Sequence, residues 1–130
     1  VSAELSQPSR PVSVRQFIAS PPSWFLVRAP MTIEAIPMLH DGELAAISLF
    51  RELNADLLLI DEVHGRQAAA DRQIRFTGTI GVLELAAARG LLDLDEAFQR
   101  VKKTDFWISP ELLDERLRLY RTGVEPSPGK

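Results

Sequence analysis

Four branched aliphatic residues in a row, Leu57-Leu58-Leu59-Ile60, run directly into Asp61-Glu62-Val63-His64-Gly65-Arg66. Successive side chains of a β-strand point to opposite faces, so a strand of this composition keeps no face for water. It belongs in the middle of a parallel sheet covered by helices on both sides, where the usual in/out alternation disappears. Asp61 then stands at the carboxyl end of that strand. Open α/β sheets bind ligands at that edge, so a carboxylate there is a candidate for function. Glu62 points to the opposite side if the strand continues.

The rest of the chain supplies helices for such a sheet. Val1 to Ser6 reads as the end of a helix, and Val12 to Ala19 as a short helix with Val14, Phe17 and Ile18 on one face. Trp24-Phe25-Leu26-Val27 has the aromatic and β-branched character of a strand, and Pro30 stops it. Met31 to Leu39, interrupted by Pro37, reads as loop. Asp41 stands where an N-cap is needed for a helix over Gly42 to Leu53, with Ala46, Phe50 and Leu53 on one face. Gly65 to Arg72 is alanine-rich and helical in character, and Ile74 to Thr77 is a short strand. Thr79 caps a helix over Ile80 to Arg89, apolar nearly all round and therefore expected to be buried, with Gly90 as its left-handed C-cap. Asp93 and Glu96 have capping-box spacing before a stripe of Leu94, Ala97, Phe98 and Val101. Ser109-Pro110 opens a last helix with Leu113, Leu117 and Tyr120 inward. Trp24, Phe25 and Trp107 are expected in the core. Strands alternating with helices predict an α/β fold with right-handed crossovers. Only three strands are visible, and a fully apolar central strand wants a neighbour on each side.

At 130 residues the chain is predicted to be one domain, residues 1–123, followed by a Pro/Gly/Ser tail, residues 124–130, expected to be disordered. The absence of cysteine removes disulfides, thiolate nucleophiles and zinc–thiolate sites. A net charge of −3 excludes a polybasic tail but not a basic groove on an acidic body. No apolar run approaches the ~20 residues of a membrane span, and no basic segment leads an apolar one at the start of the chain. The expected location is the cytoplasm, with no membrane contact.

A parallel sheet can bring Glu43, in the first turn of its helix, and Asp61, at a strand end, to one crevice. Convergent carboxylates without cysteine or clustered histidine suit Mg2+ or Mn2+, held by oxygens at ~2.0–2.1 Å. Two such ions ~3.5–4 Å apart support phosphodiester hydrolysis. Each acid also has a purely structural use: Glu43 complements the helix dipole and Asp61 can cap the turn that follows it. Arg66 and Arg72 lie just beyond the acidic strand end, where guanidinium groups could hold phosphates. Asp61-Glu62-Val63-His64 also spells the Asp-Glu-x-His box of nucleotide-driven helicases. That activity needs a lysine-bearing phosphate loop, and Gly78-Thr79-Ile80-Gly81 lacks the lysine.

Taken in order, Asp41-Gly42-Glu43-Leu44-Ala45-Ala46-Ile47, Leu57 to Glu62, Gly65-Arg66-Gln67-Ala68-Ala69 and Thr77-Gly78-Thr79-Ile80-Gly81-Val82-Leu83 share their spacing with one family. The chain resembles PIN-domain ribonucleases, specifically the bacterial and archaeal subgroup of predicted nucleic-acid-binding proteins related to VapC toxins. Glu4-Leu5 followed by Pro8, the Ala19 to Trp24 segment and Phe106-Trp107-Ile108-Ser109 extend the resemblance over nearly the whole chain. It implies a three-layer α/β/α fold with a central parallel sheet and a Mg2+- or Mn2+-dependent nuclease site of convergent acids. Asp61, Glu43 and Glu4 match family acids and are the implied catalytic and metal-binding residues. Glu62 stands where the subgroup usually has a second aspartate and is ranked below Asp61 as a ligand. Arg66 is the implied phosphate contact.

One departure qualifies this. PIN domains begin with a strand ending in Asp-x-Ser/Thr, and only three residues precede Glu4 here. The resemblance therefore implies that the family's first strand is missing, with an acid lost from the metal site and two sheet edges bare. Bare edges pair with other chains, so a homodimer or higher oligomer is expected. The function implied is a metal-dependent endoribonuclease acting on RNA, the toxin half of a toxin–antitoxin pair with an antitoxin protein as partner. The rival is a noncatalytic module of the same fold that binds nucleic acid or protein.

Overall fold

The computed structural model describes residues 2–124. Among them the fold is α/β but helix-rich, with seven helices and one small sheet of two parallel strands. The chain divides between Phe76 and Thr77 into two compact units.

In the first unit, α1 (Ser2–Leu5) and α2 (Val12–Ala19) pack together ahead of a long irregular stretch. The helix α3 (Asp41–Leu53), the strand β1 (Leu58–Leu59), the helix α4 (Val63–Asp71) and the strand β2 (Phe76–Thr77) follow. Each turn between them is set locally. Asn54 takes the left-handed conformation at φ 49° and ends α3, as its short amide side chain allows. Gln73, at φ 57°, does the same after α4 with less to favour it. Leu58 N–H then donates to Arg75 C=O at 2.9 Å, which pairs the strands. Ile36, Ile47, Leu58, Ile60, Ala68, Ala69 and Ile74 form the core, flanked by Leu39, Leu44, Ala46, Phe50 and Phe76.

The irregular residues 31–36 are fastened to α3 and α4 through polar groups. Met31 N–H donates to Glu52 Oε2 at 2.8 Å, and Glu34 N–H to Ser48 Oγ at 3.0 Å. The Glu34 carboxylate accepts from Arg72 Nε (3.2 Å) and Nη2 (2.8 Å) on one oxygen and from Arg51 Nη1 (3.0 Å) on the other. Those guanidinium groups hold the Glu34 carboxyl below its ordinary value, Arg72 foremost. Arg72 is thereby a structural cation, its guanidinium engaged by Glu34.

The second unit is three helices, α5 (Thr79–Ala88), α6 (Leu94–Lys102) and α7 (Pro110–Thr122). Ala87, Leu94, Phe98 and Leu113 are its core, with Ile80, Leu83, Leu92, Ile108 and Leu117 packed around them. Asp93 accepts from Glu96 N–H at 2.8 Å and Ser109 Oγ from Leu112 N–H at 3.2 Å, so both N-caps read from the sequence are made. Gly90 and Gly123, both at φ 70°, reverse the chain after α5 and α7. Glu84 on α5 and Arg116 on α7 form a two-pronged ion pair, their side chains only 15% and 13% exposed.

Several expectations fail, for related reasons. Leu58 and Ile60 are buried, but Leu57 is 38% and Leu59 62% exposed, so the aliphatic run alternates and one of its faces is bare. Residues 24–27 are not a strand, and Trp24 is exposed, as is Trp107 in its loop. Phe25 is half-buried, in a ring cluster with Phe17 and Trp24 at centroid distances of 5.1 and 6.0 Å. Apolar composition states what a segment can bury; in a sheet of two short strands there is too little structure for all of it to bury against. Likewise α5 is apolar nearly all round, yet Val82 and Leu85 are exposed. Gly78, not Thr79, occupies the α5 N-cap position. Of the expected tail, residues 124–130, all but Val124 lie outside the described residues. No described helix is long and apolar enough to cross a membrane.

Candidate functional site

The amino ends of α3 and α4 meet in the first unit around a glycine. His40 is the N-cap of α3, and Glu43, three residues on, turns its carboxylate back so that Oε2 accepts from His40 N–H at 3.0 Å. The cap is therefore one residue earlier than the Asp41 expected from sequence. The Glu at N3 was the legible signal; histidine is not among the usual capping residues and hid the start. Glu62 is the N-cap of α4, and its Oε2 accepts from Gly65 N–H at 2.8 Å.

Gly65 is buried between these acids. A Cβ there would collide with the Ile60 side chain and stand 3.3 Å from Glu43 Cγ. The missing side chain lets the first turn of α4 lie against Ile60 and the Glu43 side chain, which sets Gly65 next to the capping acids of both helices. Asp61 precedes Glu62 at the carboxyl end of β1 and is exposed. Arg66, in the first turn of α4, lays its guanidinium 5.5 Å from the centroid of the Phe76 ring, a cation–π contact that orients it.

The electrostatics follow from this arrangement. The Glu62 carboxyl is held below its ordinary value first by the Gly65 N–H, then by the His64 N–H, with the charges of His64 and His40 adding to the effect and desolvation opposing it. Both helix amino ends also carry partial positive charge, which favours anionic groups between them.

Thus Glu43 and Glu62 flank Gly65, and Asp61 precedes Glu62 in the chain just beyond β1. Glu4 is on α1, exposed, in a helix that packs on α2. The donors are hard oxygens of the kind Mg2+ and Mn2+ take. Among the described residues, however, no three His, Asp or Glu side chains converge closely enough to hold a metal ion. The fit is one of donor chemistry and not of arrangement, and no hydrolytic step follows from these contacts. A separate cleft of about 470 Å³ lies in the second unit, lined by Thr77, Leu85, Tyr120 and the Glu84–Arg116 pair. Its two charges neutralise each other, and it contains none of the candidate acids.

Comparison with known proteins adds one finding. No curated protein and no solved structure matches the chain. A sequence profile described as a PIN domain matches residues 1–122, nearly the whole length. With that match, the acids at the carboxyl end of β1 and the helix-flanked parallel strands are accounted for together: the chain belongs to the PIN-domain family.

Proposed function

We propose that this PIN domain is a nuclease-type module that acts on RNA, with Asp61 and Glu43 as its principal acids and Glu4 as a third. The observation that carries the reading is the meeting of the α3 and α4 amino ends around Gly65, which packs against both Glu43 and Ile60, the residue before Asp61. PIN domains generally use divalent metals, and Mg2+ or Mn2+ is the proposed cofactor. Arg66 is the proposed phosphate contact, pre-oriented by Phe76. The proposed setting is the cytoplasm, as the toxin of a toxin–antitoxin pair related to VapC, restrained by an antitoxin protein. The exposed Leu57 and Leu59 support self-association. Light scattering that shows a monomer at micromolar concentration would remove that part of the proposal.

The test is cleavage of a structured RNA by the chain and by Asp61→Asn, with Mn2+ and with chelator. Metal-dependent cleavage that Asp61→Asn loses by two or more orders of magnitude supports the nuclease reading. Growth arrest on expression, relieved by Asp61→Asn, supports the toxin. A second reading, a noncatalytic nucleic-acid- or protein-binding module, is favoured by the absence of a three-acid cluster among the described residues. RNA binding without cleavage in either metal would select it.

A further inference from the structure

We infer that Glu62 is a positioning residue and not a metal ligand: its carboxylate is committed to the first turn of α4, and through that turn it sets the places of Glu43 and Arg66. The inference rests on the nuclease reading for its functional meaning, while its structural half stands without it.

The two half-buried glutamates of the crevice differ in what they hold. Glu43 accepts one backbone N–H, that of His40. Glu62 takes the Gly65 N–H, an open amide of the α4 amino end, at 2.8 Å, and the neighbouring His64 amide helps to hold its carboxyl below the ordinary value. Those amides have no partner within the helix and are costly to leave unmet when partly buried. A cation approaching Glu62 would compete with them and would meet the same positive end of the helix.

What the cap fixes lies three and four residues away. Gly65, whose amide Glu62 holds, is the residue pressed against Ile60 and Glu43. Arg66 N–H donates to Glu62 C=O at 2.9 Å in the first turn of the helix, and Arg66 is the residue stacked on Phe76. Removing the Glu62 side chain therefore loosens the turn that places both groups, without removing either of them.

The test separates the cap from the ligand by chemistry. Serine at an N-cap accepts the same amide hydrogen bond but offers no carboxylate to a metal. Amide hydrogen exchange of Gly65 and Arg66 is compared in the full chain, Glu62→Ala and Glu62→Ser, all in chelator, and Mn2+ binding is then titrated by calorimetry. The alanine variant should exchange about fivefold faster at these amides and the serine variant should restore protection. Mn2+ affinity in Glu62→Ser should stay within threefold of the parent chain. Failure of serine to restore protection overturns the inference, and so does a tenfold or greater loss of Mn2+ affinity with protection restored. A parent chain that binds no Mn2+ breaks the nuclease reading alone, and the exchange measurements still decide the role of Glu62.

Discussion

Residues 77–124 are three helices with their ends closed by side chains and glycines, whereas residues 2–76 hold much of their length outside regular structure and fasten it with hydrogen bonds from distant residues. In the second unit neighbours in sequence close the helix starts, Asp93 with Glu96 and Ser109 with Leu112, and the distant tie Glu84–Arg116 joins two finished helices. The first is organised by pairs such as Glu34 with Arg72, thirty-eight positions apart. All of the candidate acids lie in the first. Local rules build a stable helical body, but a crevice between two helix ends requires a close approach that no short motif specifies.

The contrast can be broken most severely at its packing. Phe98 is 2% exposed in the second core, and Phe98→Ala should cost about 3–5 kcal/mol, read by denaturant unfolding. A loss well under 2 kcal/mol would mean that this core is not the well-packed body described. In the first unit the sensitive point is a residue with no side chain. Gly65→Ala should cost about 1–3 kcal/mol through overpacking against Ile60 and Glu43, measured by thermal unfolding. A neutral result would show that the close approach of α3 and α4 is not obligatory.

Acid should act more on the first unit than on the second. Glu34 and Glu62 there, and Glu111 in α7, have carboxyl values lowered by folding from 4.5. A lowered value in the folded state gives stability that is complete above the unfolded value and is lost as pH falls through the folded one. Unfolding free energy should therefore drop below pH about 4.5, and Glu34→Gln and Glu62→Gln together should flatten that drop more than Glu111→Gln alone does. An undiminished drop in the Glu34→Gln/Glu62→Gln double variant would erase the distinction. The smallest expected effect is at Gln73, whose left-handed φ of 57° suits glycine. Gln73→Gly should raise stability by about 0.5 kcal/mol, the relief of strain outweighing the entropy glycine loses on folding.

What could be read in the sequence follows the same division. The caps Asp93 and Ser109 and the reversal at Gly90 were legible because each is a short-range contest between a side chain and a helix end. The family was legible too, from motifs whose order and spacing are retained. The strand at 24–27 and the burial of Leu59 and Trp107 were misread because composition does not state how much sheet or core is available to cover a segment. Nothing in the sequence announced Glu34, an acid in a stretch with no periodicity, whose importance comes from where α3 and α4 place Arg51 and Arg72.

That acid changes how residues 31–36 should be treated by anyone engineering the protein. By secondary structure the stretch is a loop, the usual choice for a tag, a protease site or an exchange of segments. Its backbone amides are taken by Glu52 and Ser48, its carboxylate joins two helices, and Ile36 is in the core. An insertion there would act as a core mutation does, although the stretch is a loop by secondary structure.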